Sequence, residues 1–229
     1  MSAKPIYLLS GGGPGESGQM IEDYRMVFNA FDTPNPNIAY VGAANHDNKL
    51  FFQFMKKPMT SAGAGEIKLV HISGKHTDAA KAKNMLSEAD IIFLSGGEVE
   101  DGIVDLKRYG LDECLTGLYE AGKPFIGVSA GAIMMGSHWV HWDKEGDDNT
   151  ASLFSCLNFV PMLFDAHGEN EGWKELKCAL RLLGPGAEGH GLSRGGFFRA
   201  DPGGRLTSFR NGPDVFRNVG GAIQPAGTK

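Results

Sequence analysis

Gly127-Val128-Ser129-Ala130-Gly131 sets a serine between the apolar run Pro124-Val128 and the helical run AIMMG, with only small residues beside it. Strand, tight turn and helix in that order project a serine Oγ from the carboxyl end of a sheet, where it can act as a nucleophile. The next backbone N–H, that of Ala130, then points where an oxyanion would form. Ser95-Gly96-Gly97 ends the preceding apolar run. In a doubly wound sheet the carboxyl ends of neighbouring strands share one crevice, so this loop can stand beside Ser129, and its glycines let a backbone N–H approach a substrate oxygen.

The elements that must position these loops follow from the hydropathy pattern. Pro5-Ser10, Asn37-Ala43, Glu66-Ile72, Asp90-Ser95 and Pro124-Val128 are mostly continuous apolar runs. Such runs predict strands buried on both faces and hence a parallel sheet. Between them, Ile21, Tyr24, Val27, Phe28 and Phe31 fall at helical spacing, as do the apolar positions of Ala79-Ala89 behind a Thr77-Asp78 cap. This βαβ rhythm predicts an α/β fold, a doubly wound, mostly parallel sheet with helices on both faces.

Beyond residue 137 the rhythm gives way to an aromatic strand HWVHWD, the acidic loop KEGDDNT, the run LNFVPMLFDAH and a helix near 170–183. A C-terminal β-hairpin follows, FFRAD and RLTSF flanking Pro202-Gly203-Gly204. No repeat or long linker interrupts the 229 residues, which read as one domain, residues 1–229, with 220–229 expected as a frayed tail.

These motifs resemble the peptidase E and cyanophycinase family of serine peptidases, whose fold is similar to that of class I glutamine amidotransferases. ADIIFLSGGEVEDGIVDL resembles its strand with a glycine pair, KPFIGVSAGAIMMG its nucleophile turn, and LNFVPMLFDAH the segment delivering its histidine. The resemblance implies Ser129 as nucleophile, His167 as general base, and the backbone N–H groups of Gly97 and Ala130 as the oxyanion hole. A serine hydroxyl needs an imidazole within hydrogen-bond reach to accept its proton and return it to the leaving amine. Of the seven histidines, His167 is best placed and His190, in a glycine loop, is the runner-up.

Family members bring an acid either about fifteen residues after the serine or from a glutamate in a later GLPEG-like turn. Here that turn reads Gly191-Leu192-Ser193-Arg194-Gly195, with arginine in the glutamate's place. Asp143, at the end of HWVHWD, is therefore the expected third member, with Asp165 and Glu169 as the other carboxylates in play. Specificity departs as well. Glu98-Val99 follows the glycine pair, and Trp173-Lys174-Glu175 stands where aspartyl dipeptidases carry an arginine. Lys174 and Arg194, with Arg199, are the cations available to an anionic substrate, and aspartyl specificity is not carried over.

The expected activity is cofactor-free hydrolysis of a dipeptide or small peptide-like amide. Two other readings stay open: a non-catalytic relative acting as a binding module, and an α/β-hydrolase-type esterase, which expects its histidine near the C-terminus. Lys+Arg 22 against Asp+Glu 27 offers no footprint for nucleic acid. No apolar run reaches the ~18 residues of a membrane span, and the N-terminus lacks a signal-peptide core, so neither membrane nor nucleic acid is an expected partner and the expected compartment is cytoplasmic. A homodimer is left open. Cys114, Cys156 and Cys178 form no CxxC pair and read as small packed apolar residues. Gly13-Pro14-Gly15-Glu16-Ser17-Gly18 fits a dinucleotide loop, but Ala43-Ala44 stand where an acid should hold the ribose. His138 and His141 point to opposite faces of a strand, so no metal site is expected.

Overall fold

The computed structural model describes residues 2–11, 17–74, 77–144 and 146–226. His76, most of the 13–18 glycine pattern, Glu145 in the acidic loop and residues 227–229 of the tail lie outside the described residues. The first half alternates as its apolar runs predict: β1 (Ile6–Leu9), α1 (Ser17–Ala30), β2 (Ile38–Val41), α2 (Lys49–Ser61), β3 (Ile67–Val70), α3 (Ala79–Glu88), β4 (Ile91–Leu94). Then come α4 (Val99–Arg108), α5 (Leu111–Glu120), β5 (Phe125–Val128) and α6 (Ala130–Met134). Asp78 caps α3 through a hydrogen bond from the Lys81 N–H to its carboxylate, 3.0 Å.

The second half adds β6 (His138–Trp142), β7 (Ala151–Ser155), β8 (Leu163–Ala166), α7 (Lys174–Leu183), β9 (Glu188–Leu192), β10 (Phe197–Ala200), β11 (Leu206–Arg210), β12 (Asp214–Val219) and β13 (Ala222–Pro225). The main sheet has seven strands in the order β11-β10-β1-β5-β4-β2-β3. Strands β1 to β5 are parallel, and the expected hairpin, β10 with β11, extends the sheet antiparallel beyond β1.

Alternation along each strand divides the core into two layers. Ile6 and Leu8 of β1 join Leu86, Ile103, Leu106 and Leu115 from α3, α4 and α5 on one face. Tyr7 and Leu9 join Tyr24, Phe28, Phe52 and Met59 from α1 and α2 on the other. All four residues of β1, β2, β4 and β5 are buried, which is why these strands lack polar positions.

A second sheet, β13-β12-β9-β8, is not foreseen in the sequence reading. Helix α7 covers it through Leu176, Ala179 and Leu180, packed with Trp173 and Phe216. The expectation of a frayed tail fails for Ala222–Pro225, which pair with β12 as an edge strand. Backbone hydrogen bonds to β12 hold this segment despite its low apolar content. Among the described residues, β6 and β7 pair only with each other. Cys178 lies on the buried face of α7, and Cys114 and Cys156 are half-buried against the first core layer. Among the described residues, no helix is long and apolar enough to cross a membrane.

Candidate active site

The order β1-β5-β4 sets three strand ends side by side, and their loops meet at Ser129. Its backbone, at φ 53° and ψ −120°, occupies a region that L residues adopt only under constraint. The constraint is visible. Its N–H donates to Leu9 O of β1 at 2.9 Å, and its C=O accepts from Ala132 at 2.8 Å and Ile133 at 3.2 Å. Two glycines let the turn close. A Cβ on Gly131 would lie 2.1 Å from Leu94 O of β4, and one on Gly127 would lie 2.6 Å from Gly131 O.

His167 follows β8 in the left-handed conformation, φ 62°, with its N–H on Leu192 O at 3.2 Å. Its Nε2 lies 2.8 Å from Ser129 Oγ. Gly11, after β1, walls the ring on one side, where a Cβ would lie 3.2 Å from Cε1. That loop is tied to the 191–195 turn: Ser10 Oγ donates to Ser193 O at 2.6 Å, and Gly195 N–H donates to Gly11 O at 3.0 Å. Burial first, then the nearby Arg194 guanidinium, holds the imidazole below the ordinary histidine range, while Glu169 opposes them. A neutral imidazole at neutral pH is the form that can accept a hydroxyl proton.

The loop after β4 is set by two side chains that the sequence reading passed over. Asn45 Nδ2 donates to Ser95 Oγ and to Gly96 O, both at 2.8 Å, and the Tyr40 hydroxyl lies 2.6 Å from Ser95 Oγ. Both stand on or just after β2, and a polar residue at a strand's carboxyl end was the signal available. Because the trans peptide opposes its C=O and N–H, anchoring Gly96 O on Asn45 turns the Gly97 N–H to the opposite side. Neither that N–H nor the Ala130 N–H has an acceptor among the described residues. Gly96 itself adjoins the nucleophile turn, since a Cβ there would lie 3.2 Å from Ser129 Cβ.

The expected third member is not brought to the site. Asp143 lies just past β6 with its side chain 83% exposed, and its Oδ1 lies 3.4 Å from Nε2 of His141. The other nitrogen of His141 sits 2.6 Å from Glu100 Oε2. Pairing with β7 carries the end of β6 into a solvent turn and away from the crevice, so Nδ1 of His167 is buried with no partner among the described residues. Nor is His190 at the serine: its Nε2 lies 3.7 Å from Glu188 Oε1 on β9. The histidine at Ser129 is thus His167, in mid-chain, and the esterase reading expected one near the C-terminus.

Asp165, on β8, accepts from the Ala166 N–H through Oδ1 at 2.6 Å, while its buried Oδ2 packs against Gly168 and has no partner among the described residues. Burial, with Glu175 adding to it, pushes its carboxyl up to about 7. A carboxyl raised on folding contributes stability below its unfolded value of 3.8, and that contribution is lost as pH rises through about 7. Ionisation therefore costs on the order of a few kcal/mol by pH 8. Asp165→Asn keeps the acceptor and removes the proton. Melting curves should show the wild type losing stability relative to the variant from pH 5 to pH 8; parallel curves would mean that Asp165 ionises freely.

The cations divide. Lys174 Nζ donates to Gly146 O at 3.1 Å and sits 5.8 Å over the Trp142 ring, so its charge is committed to the β6–β7 connection and the expected substrate contact is not supported. Arg199 is held by Asp201 Oδ1 at 2.9 and 2.7 Å. Arg194 is exposed, its guanidinium makes no hydrogen bond or ion pair among the described residues, and its charge reaches His167. Among the described residues, no three His, Cys, Asp or Glu side chains group as metal ligands.

The fold is that of peptidase E-like proteins. A solved structure of a protein assigned as peptidase E from Listeria monocytogenes superposes with TM-score 0.66 at 19% identity, over 92% of this chain and 100% of that one. A peptidase from an acI-B1 Actinobacterium gives TM-score 0.67 at 15% identity, over 98% and 94%. The family model of Peptidase family S51 matches residues 6–180, and the chain belongs to that family of peptidases. Among curated relatives, the uncharacterized peptidase YgaJ of Bacillus subtilis is 23% identical over 73% of this chain and 70% of its own length. Peptidase E of Shewanella amazonensis is 30% identical over 43% of this chain and 41% of that protein.

Proposed function

We propose that the chain is a serine peptidase that hydrolyses a dipeptide or small peptide-like amide through an acyl-enzyme. The observation that carries the reading is the 2.8 Å contact between Ser129 Oγ and Nε2 of the half-buried His167, made by a serine in a strained turn. In this scheme His167 takes the hydroxyl proton as Oγ attacks the carbonyl carbon. The N–H groups of Gly97 and Ala130 stabilise the oxyanion, worth roughly 3–4 kcal/mol per donor in such sites. His167 then protonates the leaving amine, and a water molecule, activated the same way, frees the acid. No cofactor enters. Arg194 is the cation available to an anionic group on the substrate.

A fluorophosphonate probe tests this. Labelling should occur on Ser129, located by peptide mass, and be absent from Ser129→Ala. The orphaned Nδ1 of His167 is what favours the second reading, a binding module without turnover. A folded wild type that stays unlabelled over prolonged exposure would decide for it.

A further inference from the structure

We propose that Glu169 is the residue that positions His167, its carboxylate serving Nδ1 of the imidazole in the place where Asp143 was expected. The inference rests on the serine-peptidase reading and deepens it. Three observations carry it. His167 has one nitrogen on Ser129 Oγ and the other, Nδ1, buried without a partner among the described residues. Glu169 is two residues away in the short 3-10 turn Gly168–Glu171, and its Oε2 is likewise buried without a partner among the described residues. A buried N–H and a buried carboxylate oxygen each cost free energy if left unmet, so two such atoms on one short segment, too far apart for a direct bond, are natural partners through one water.

The carboxylate is also held. Its Oε1 accepts from the Arg194 N–H at 3.2 Å, which fixes it between the 168–171 turn and the 191–195 turn. The other acids are otherwise engaged. Asp143 lies in solvent against His141; Asp165 also has one orphaned oxygen, but that oxygen faces Gly168 beside the Trp173 ring, and burial keeps this carboxyl largely protonated up to about pH 7, so it supplies little charge to an imidazolium. Among the described residues, Glu169 is also the carboxylate whose charge raises the basicity of His167 against burial and Arg194.

Placed there, a carboxylate fixes the Nδ1–H tautomer, leaves Nε2 free to accept the serine proton, and stabilises the imidazolium that results. Arg194 works in the opposite sense and keeps the resting ring neutral. Burial and Arg194 together outweigh Glu169 in the resting ring, which is therefore neutral, and the carboxylate offsets part of the cost of charging it.

The test compares wild type, E169Q, E169D and S129A by the rate of fluorophosphonate labelling against pH, with melting temperature measured alongside. E169Q keeps an oxygen for the Arg194 N–H, so it should melt near wild type. Its labelling should fall by roughly 10²–10⁴-fold, on the scale of a lost triad acid. The acid limb of its profile should move to lower pH, because the imidazolium has lost its carboxylate. E169D should fall between the two. If E169Q labels at the wild-type rate with an unmoved limb while S129A is silent, Glu169 is not the positioning acid and the serine reading stands. If folded wild type does not label, both fall. Should E169Q lose its fold, nitrogen-15 NMR of histidine in the wild type decides: His167 must be protonated on Nδ1 in its neutral state, and an Nε2–H tautomer overturns the assignment.

Discussion

Ser129→Ala is expected to lower kcat by about 10⁶-fold on any substrate the wild type hydrolyses, since removing a nucleophile from a coupled set costs nearly as much as removing the set. Its melting temperature should stay near wild type, because alanine inherits the backbone strain and loses only Oγ. Ser129→Gly separates the two roles. It is equally inactive, but glycine relaxes at φ 53° and ψ −120°, where the strain is worth about 1–3 kcal/mol. Glycine's greater freedom in the unfolded chain takes back about 0.5–1 kcal/mol. The net is a gain of up to ~2 kcal/mol, or roughly 2–8 °C for a chain of this size. Thermal melts with progress curves measure both effects. Turnover by Ser129→Ala would remove Ser129 from the chemistry, and a Ser129→Gly melting below Ser129→Ala would show that the turn stores no strain.

Gly97→Ala is expected to damage stability and catalysis together. A Cβ at this position would lie 1.9 Å from Ala44 O, at φ +143°, a conformation that costs an L residue strain even where space is open. The neighbour is backbone, anchored by the Glu98 N–H on the same carbonyl, so it cannot swing aside as a side chain would. The loop must shift, at roughly 2–4 kcal/mol, which lowers the melting temperature by about 5–15 °C. The shift also withdraws the Gly97 N–H from Ser129. In the folded enzyme, well below its melting point, kcat should therefore fall by about 10²–10³-fold with KM little changed. A variant that loses stability but keeps full kcat would show that the Gly97 N–H is not an oxyanion donor.

The parallel sheet was legible because strands buried on both faces tolerate no polar residue, so IYLL, IAYV, IIFL and FIGV stand out from their surroundings. The turn at Ser129 was legible because its geometry admits only small neighbours. The second sheet was not. EGHGL and AIQP carry glycine, proline and charge, and they become strands only because α7 and β12 give them something to pair with and pack on. The same limit misplaced the acid. Alternation along HWVHWD told which side Asp143 would take, but not that the strand would pair with β7 and end in solvent. Glu169 was overlooked as the leading acid because nothing in GENEG shows that one oxygen of one of its two glutamates becomes buried. That comes from contacts with the 191–195 turn, some twenty residues further on.

The arrangement of β8 has a consequence for how the protein comes into being. The nucleophile turn and the five parallel strands of the main sheet are encoded by residue 137, but the strand that delivers His167 pairs with β9, and the sheet containing both closes only with β12 and β13, at Ala222–Pro225. During synthesis, at roughly 5–20 residues per second, the serine therefore exists for several seconds with no anchored base beside it. On the serine-peptidase reading, competence arrives only when elongation has passed the last strand.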